Sequence, residues 1–524
     1  MTLDTSNDPL PAQLAQMENA ELVRRAPDED STYLFNHALT LETAYESLLV
    51  RRRKAIHRSV ANAFEQLYPD RLDENAALLA QHYAQAGDDE KTVVYAVRAG
   101  DAAARVFAYV EAGAHYDQAL DASSHLPDTQ ERRCQRVEVL LRQVSVSLRA
   151  VGPLKTLKRL AVAETLARPL ATRTGATRED RLRLGRVHYW QGQALIHQNE
   201  TRAAIQHLRQ ALQVAQAEND PQLLAKPASV IGQTLVAQGQ FAQAIPILTD
   251  AIRALEQTHD DQEWILAVGF RGVALTMLGD CAEGIAEAER SLAHATASNT
   301  LTGIALAHGA LGLVHFFGDA LPEGVAHART MIEIAARSGD RLYAYLAFGF
   351  IAWDEVRRGN CRGAENDFAQ ANAIAKEIGA RLLFADWFAA ARAEYALRCG
   401  RVGRALTLAG TVSQRAHRNG CVFAEGIAER IRGQALAGLS TPRLDGAEVH
   451  LAKSLAKLEE GGAYLDAART RVAWSQVLAR RGDAPAARDH LEQAAAQFQK
   501  SGLTGELERT KLLIDSLPAR VNSD

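Results

Sequence analysis

Small residues recur along this chain at a nearly constant interval, and that interval restricts the fold more than any motif in it. The positions are Gly100, Ser145, Gly192, Gly232, Gly272, Gly312, Ala352, Ala393, Gly433 and Ser475. From Gly192 to Gly433 the successive steps are 40, 40, 40, 40, 41 and 40 residues. A fixed period of this size belongs to a solenoid, whose units stack on their neighbours and present an extended binding surface. Within each period a second small residue follows after twelve positions, a large apolar residue four later and a small one three later. Examples are Ala204, Leu208 and Ala211, then Ala244, Leu248 and Ala251, then Ala364, Phe368 and Ala371. Steps of four and three place all three on one helix face.

Between the leading residue and this triplet sits a turn: Gly152, Asn199, Gly239, Gly279, Gly359, Gly400 or Gly482. Glycine accepts the left-handed conformation that ends a helix. A following Asp or Asn, as at Asp280, Asn360 and Asp483, suits the start of the next helix. Each unit is therefore predicted to be helix, tight turn, helix.

This pattern resembles the tetratricopeptide repeat over roughly residues 94–500. The resemblance implies an all-α, tetratricopeptide-like α-solenoid superhelix of about ten units. The period of about 40 exceeds that family's usual 34, so longer helices or loops are expected. The unit at Ser145 lacks a clean second-helix triplet, and the unit at Gly312 needs a turn shifted to Gly318-Asp319.

The first seventy residues read differently. A helix over 12–24 runs into a short strand, and an acidic turn from Ala26 to Ser31 leads to a second strand, Tyr33-Leu34-Phe35. Two amphipathic helices follow, the second from Arg53 to about Leu67 with Ile56, Val60, Ala63, Phe64 and Leu67 on its apolar face. The run Tyr-x-Phe-x-His-Ala-Leu-x-x-Glu-x-Ala-Tyr-Glu-Ser-Leu-Leu (33–49) and Arg-Arg-x-x-x-His (52–57) resemble the winged-helix segment of bacterial STAND-type, AAA-like signal-transduction ATPases. Those regulators place a nucleotide-binding domain, a winged helix and a tetratricopeptide superhelix in series. Many carry class III adenylate or guanylate cyclase domains or LuxR-type DNA-binding domains. The resemblance divides the chain into a partial winged helix (1–70), a superhelix (71–500, with 71–93 a junction) and a capping helix with tail (501–524). It also implies that His37 is the remnant of a nucleotide switch. This sequence has no Gly-Lys pair, hence no phosphate-binding Gly-x-x-x-x-Gly-Lys-Ser/Thr loop.

The family's groove-facing offsets select Arg186, Tyr189, Gln193, His197, Phe316, Phe317, Trp353, Arg357, Trp387, Glu394 and Arg398. Tryptophan and arginine dominate binding energy at protein interfaces. Arg186, Tyr189, Phe316, Phe317, Trp353, Arg357, Trp387 and Arg398 are therefore the expected ligand-binding residues. The expected partner is a protein or peptide, or a small effector.

Net charge is −4 with a sequence pI near 6.5, which gives no whole-chain reason to expect nucleic acid. The basic run Arg51-Arg52-Arg53-Lys54 reads as a solvated helix turn. No stretch approaches the length of a membrane span, and the five cysteines are scattered, as expected of reduced thiols in a cytoplasmic protein. No Gly-x-Ser-x-Gly, His-Glu-x-x-His or Gly-x-Gly-x-x-Gly motif is present. The expectation is a non-catalytic sensor or scaffold without metal or cofactor. Two alternatives are a piece of a cyclase or ATPase whose catalytic domains lie upstream, and the ligand-sensing arm of a transcription regulator.

Overall fold

The computed structural model describes residues 10–26, 32–106, 108–150, 153–198, 200–378 and 384–518. The expected turn residues Gly152 and Asn199, and most of the acidic turn before Tyr33, lie outside them. Two compact units are present: residues 1–151 with 159–173, and residues 152–158 with 174–524. The division falls at the Ser145 unit, the one whose second-helix triplet is missing from the sequence.

The first unit begins with α1 (Leu10–Asn19), β1 (Val23–Arg25), β2 (Tyr33–Phe35), α2 (Ala38–Glu46) and α3 (Val50–Leu67). The strands pair antiparallel, with Arg24 opposite Leu34. Arg51 to Lys54 fall in the first turn of α3 and are mostly exposed, as expected. Helices α4 (Ala76–Ala86), α5 (Asp89–Arg105), α6 (Tyr109–His125) and α7 (Gln130–Ala150) follow, and α8 (Pro153–Thr172) spans the division between the units. The core of this unit centres on Leu79, Tyr83, Tyr95, Ala96 and Tyr116. Lys91 Nζ donates to Glu65 Oε2 (2.5 Å) and to the Tyr83 hydroxyl (3.0 Å), tying α3, α4 and α5 together.

The second unit is a run of paired helices. These are α9 (Arg178–Ile196), α10 (Thr201–Ala217), α11 (Pro221–Gln238), α12 (Phe241–Thr258), α13 (Asp261–Leu278), α14 (Cys281–Ala297), α15 (Leu301–Phe317) and α16 (Leu321–Ser338). They continue as α17 (Arg341–Arg357), α18 (Cys361–Ile378), α19 (Ala385–Arg398), α20 (Val402–Asn419), α21 (Val422–Ala437), α22 (Leu444–Gly461), α23 (Tyr464–Arg481) and α24 (Ala484–Lys500). The last, α25 (Thr504–Asp515), packs on α24.

The period has a direct steric cause. A Cβ built on Gly192 would lie 2.5 Å from Leu208 Cγ, and one on Gly232 equally close to Leu248. The leading small residue of the first helix receives the large apolar residue of the second. The longer period resides in the helices: α11 and α12 have 18 residues each, joined by two-residue turns. Gly239 takes φ +80° at its turn, whereas after α15 the left-handed residue is Asp319, at φ +63°, rather than Gly318. Of the expected caps, Asn360 accepts the Gly363 N–H and Asp483 the Ala486 N–H, but Asp280 makes no such bond. Asp220, Asp260 and Asp340 also accept backbone N–H groups, at the starts of the units.

Candidate functional site

The first helices of the second unit end at an inner edge where their last carbonyls have no intrahelical partner. Distant helices supply the donors. Trp387 Nε1 on α19 donates to the Ala237 carbonyl at the end of α11 (2.7 Å), as does Cys421 Sγ (3.4 Å). Arg357 Nη1 donates to the Phe316 carbonyl (3.0 Å) and Arg469 Nη2 to the Phe317 carbonyl (3.1 Å). Thr201 and Gln238 both reach the Asn419 carbonyl at the end of α20. The unit is thus closed on itself at long range: the ends of α11 and α15 and the start of α10 are bonded by residues of α19, α20 and α23 and by Cys421 at the start of α21.

Aromatic rings pack this interior. Trp387 and Phe423 have centroids 4.4 Å apart, Phe384 and Trp387 4.8 Å, and Phe316 and Trp353 5.2 Å. Phe317 meets Trp353, Trp387 and Phe423 edge to face, the arrangement ring quadrupoles prefer. Trp353 and Trp387 are fully buried. This corrects the expectation of an open aromatic groove: Phe316, Phe317, Trp353 and Trp387 are buried against one another and against Phe423. A cavity beside Trp387, lined by Thr201, Gln238, Asp386, Asn419 and Cys421, has about 10 Å³, space for one water.

A charged network borders the rings. Asp466 receives Arg430 (3.0 Å) and Arg469 (3.3 Å), and Arg469 also binds Glu506 on α25 (2.9 Å). Glu394 accepts Trp353 Nε1 (3.1 Å) and Arg398 (3.1 Å). Burial alone would raise the Asp466 carboxyl; Arg469, Arg430 and Arg357 outweigh it and hold it below the ordinary range. Glu394 is held low in the same way, against burial, by Arg398, Arg430 and Arg357. Arg357 lies 3.9 Å over the Phe316 ring. Burial and the nearby Arg469 lower it to about 10, so it stays cationic at neutral pH.

The expected site residues thus divide. Phe316, Phe317, Trp353, Arg357, Trp387 and Arg398 come together in or beside the closed interior. Arg186 and Tyr189 lie on α9 outside this cluster, where Arg186 pairs with Glu179 (2.8 Å) and Tyr189 accepts from Gln193 (3.0 Å). His37 is exposed at the N-terminus of α2 and makes no capping bond. Phe241, Phe384, Phe423, Arg430, Asp466 and Arg469 belong to the site but carry no periodic signal that singles them out.

The cysteine expectation is also corrected. Cys361 and Cys399 form a disulfide, with Cα atoms 6.2 Å apart, while Cys281 and Cys421 are free. Among the described residues, no group of three or more His, Cys, Asp or Glu could hold a metal, and no helix is long and apolar enough to cross a membrane.

Residues 183–257 match the model of the tetratricopeptide repeat. No curated protein matches the chain. Among solved structures it is similar to a Rap protein complexed with competence and sporulation factor (13% identity, 81% of this chain and 96% of that one, TM-score 0.44). It is similar to aspartyl phosphate phosphatase F from Bacillus subtilis (16% identity, 69% and 87%, TM-score 0.46). A third is a STAND protein with a tetratricopeptide-repeat sensor from Pyrococcus horikoshii (12% identity, 84% and 74%, TM-score 0.37). The chain is an all-α, tetratricopeptide-like solenoid.

Proposed function

We propose that this chain is a non-catalytic regulatory module that binds a protein or peptide partner through its helical-repeat scaffold. The carrying observation is the closed interior. Aromatic and arginine side chains, of the types that anchor interfaces, are packed together among α15, α17, α19, α21 and α23. A partner that competes for those surfaces shifts the balance between closed and open forms by its differential affinity for the two. In α1 to α3, Leu39, Leu49 and Val50 are 74%, 80% and 60% exposed, and α2 buries no residue. That supports reading this segment as a partial winged helix that joins the module to another domain, such as a signal-transduction ATPase or cyclase, with His37 as its switch residue.

The test is a peptide-array screen with wild-type protein and Trp387→Ala. If the reading is right, the opened variant binds the selected peptides more tightly, because closure no longer competes. Equal affinity for every peptide would overturn the competition.

A further inference from the structure

We propose that Cys361 and Cys399 form a reversible thiol–disulfide site that fastens two successive units and holds the interior closed. Cys361 is the first residue of α18 and Cys399 immediately follows α19. Their 38-residue separation nearly equals one period, so they arrive at the same level of adjacent turns. The Cα separation of 6.2 Å is within the range a disulfide spans.

Within the second unit and among the described residues, the bond sits where successive units share little helix packing. Elsewhere the second helix of a unit packs broadly on the first helix of the next, as α12 does on α13 and α16 on α17. Among the described residues, α18 and α19 barely touch. The loop the disulfide closes carries Phe384, Asp386, Trp387 and Glu394, and Trp387 donates the bond that anchors α19 to α11. Cross-linking restricts the open ensemble of such a loop.

Accessibility singles out this pair in the unit. Both sulfurs belong to partly exposed residues, whereas Cys281 and Cys421 are buried. Burial raises the Cys281 thiol to about 11 and the Cys421 thiol further, which disfavours the thiolate that reacts. Two small thiols of the glutathione type, or one dithiol, break the Cys361–Cys399 bond. The protein gains two electrons and two protons as two thiols, and the reductant leaves as its own disulfide.

The test uses the full chain, air-oxidised or treated with dithiothreitol. Alkylation with mass spectrometry identifies the reduced cysteines, and hydrogen exchange reads the α19 amides. Reduction under native conditions should expose Cys361 and Cys399 and weaken α19 protection roughly tenfold or more. Cys361→Ser/Cys399→Ser should match the reduced wild type and ignore dithiothreitol. Unchanged α19 protection after complete reduction would overturn the proposal. So would a bond that native dithiothreitol leaves intact, or thiols that stay free after oxidation. The wild-type comparison stands even where the double variant folds poorly. The readout contains no partner, so it can fail while the binding reading survives.

Discussion

Replacing Trp387 by phenylalanine tests the closure at its centre. The indole is fully buried and its Nε1–H is held by the Ala237 carbonyl at 2.7 Å. That carbonyl ends α11 and has no helical partner. Phenylalanine keeps most of the ring contact with Phe423 and Phe317 but removes the donor. A buried acceptor stripped of its main partner costs about 1–3 kcal/mol, and the lost half-ring adds about 1 kcal/mol of cavity cost. The expected loss is therefore about 2–4 kcal/mol, read as a lower urea midpoint by far-ultraviolet circular dichroism. Trp264→Phe is the control. Trp264 donates to Glu256 at 3.3 Å on the surface, and losing an exposed bond should cost below about 0.5 kcal/mol. If both variants lose the same stability, or Trp387→Phe loses less than about 0.5 kcal/mol, the Trp387–Ala237 bond does not hold the unit closed.

Four further outcomes are expected. Gly232→Ala places a methyl 2.5 Å from Leu248 and should lower stability by about 1–3 kcal/mol in a thermal melt; no loss would contradict the steric origin of the repeat. Asp466→Asn leaves Arg430 and Arg469 short of buried charge and should cost about 3–5 kcal/mol by urea titration. The carboxyls of Asp466, Glu394 and Glu506 are all held below their ordinary range by neighbouring arginines. Their stabilisation is complete above the unfolded values near 4 and disappears as pH falls through the lower folded values. The melting temperature should therefore drop below about pH 4, and less steeply in Asp466→Asn; parallel slopes would argue against the network. Asp260→Ala removes the cap on the Glu263 N–H and should cost about 0.5–2 kcal/mol in the same melt.

The repeat was legible because its cause is local. Gly192 and Leu208, or Gly232 and Leu248, lie sixteen residues apart and must be small and large together. The hairpin at 23–35 and the terminal helix at 504–515 were legible for the same reason. The closure was not. Trp387 meets Ala237 across 150 residues, and Thr201 meets Asn419 across 218. Such contacts join units several periods apart, so the pattern within one unit does not announce them. A solenoid pattern implies neighbour contacts only, and on that basis Trp353 and Trp387 belonged to an open groove. Both are instead fully buried. The Cys361–Cys399 pairing did leave a signal, a spacing two residues short of one period. The caps at Asp220, Asp260 and Asp340 left another, separated by one and two periods of 40.

The closure also bears on how the chain reaches its native state. An open repeat array can nucleate anywhere and grow by neighbour addition. Here Arg469 must find Phe317 across 152 residues and Arg509 must find Asp319 across 190. Contacts of such high order demand large loop-closure entropy before they return any enthalpy. During synthesis the inner face of α11 to α17 emerges well before the helices that cover it. The apolar rings of Phe241, Phe316 and Phe317 are then the surface most exposed to misassembly.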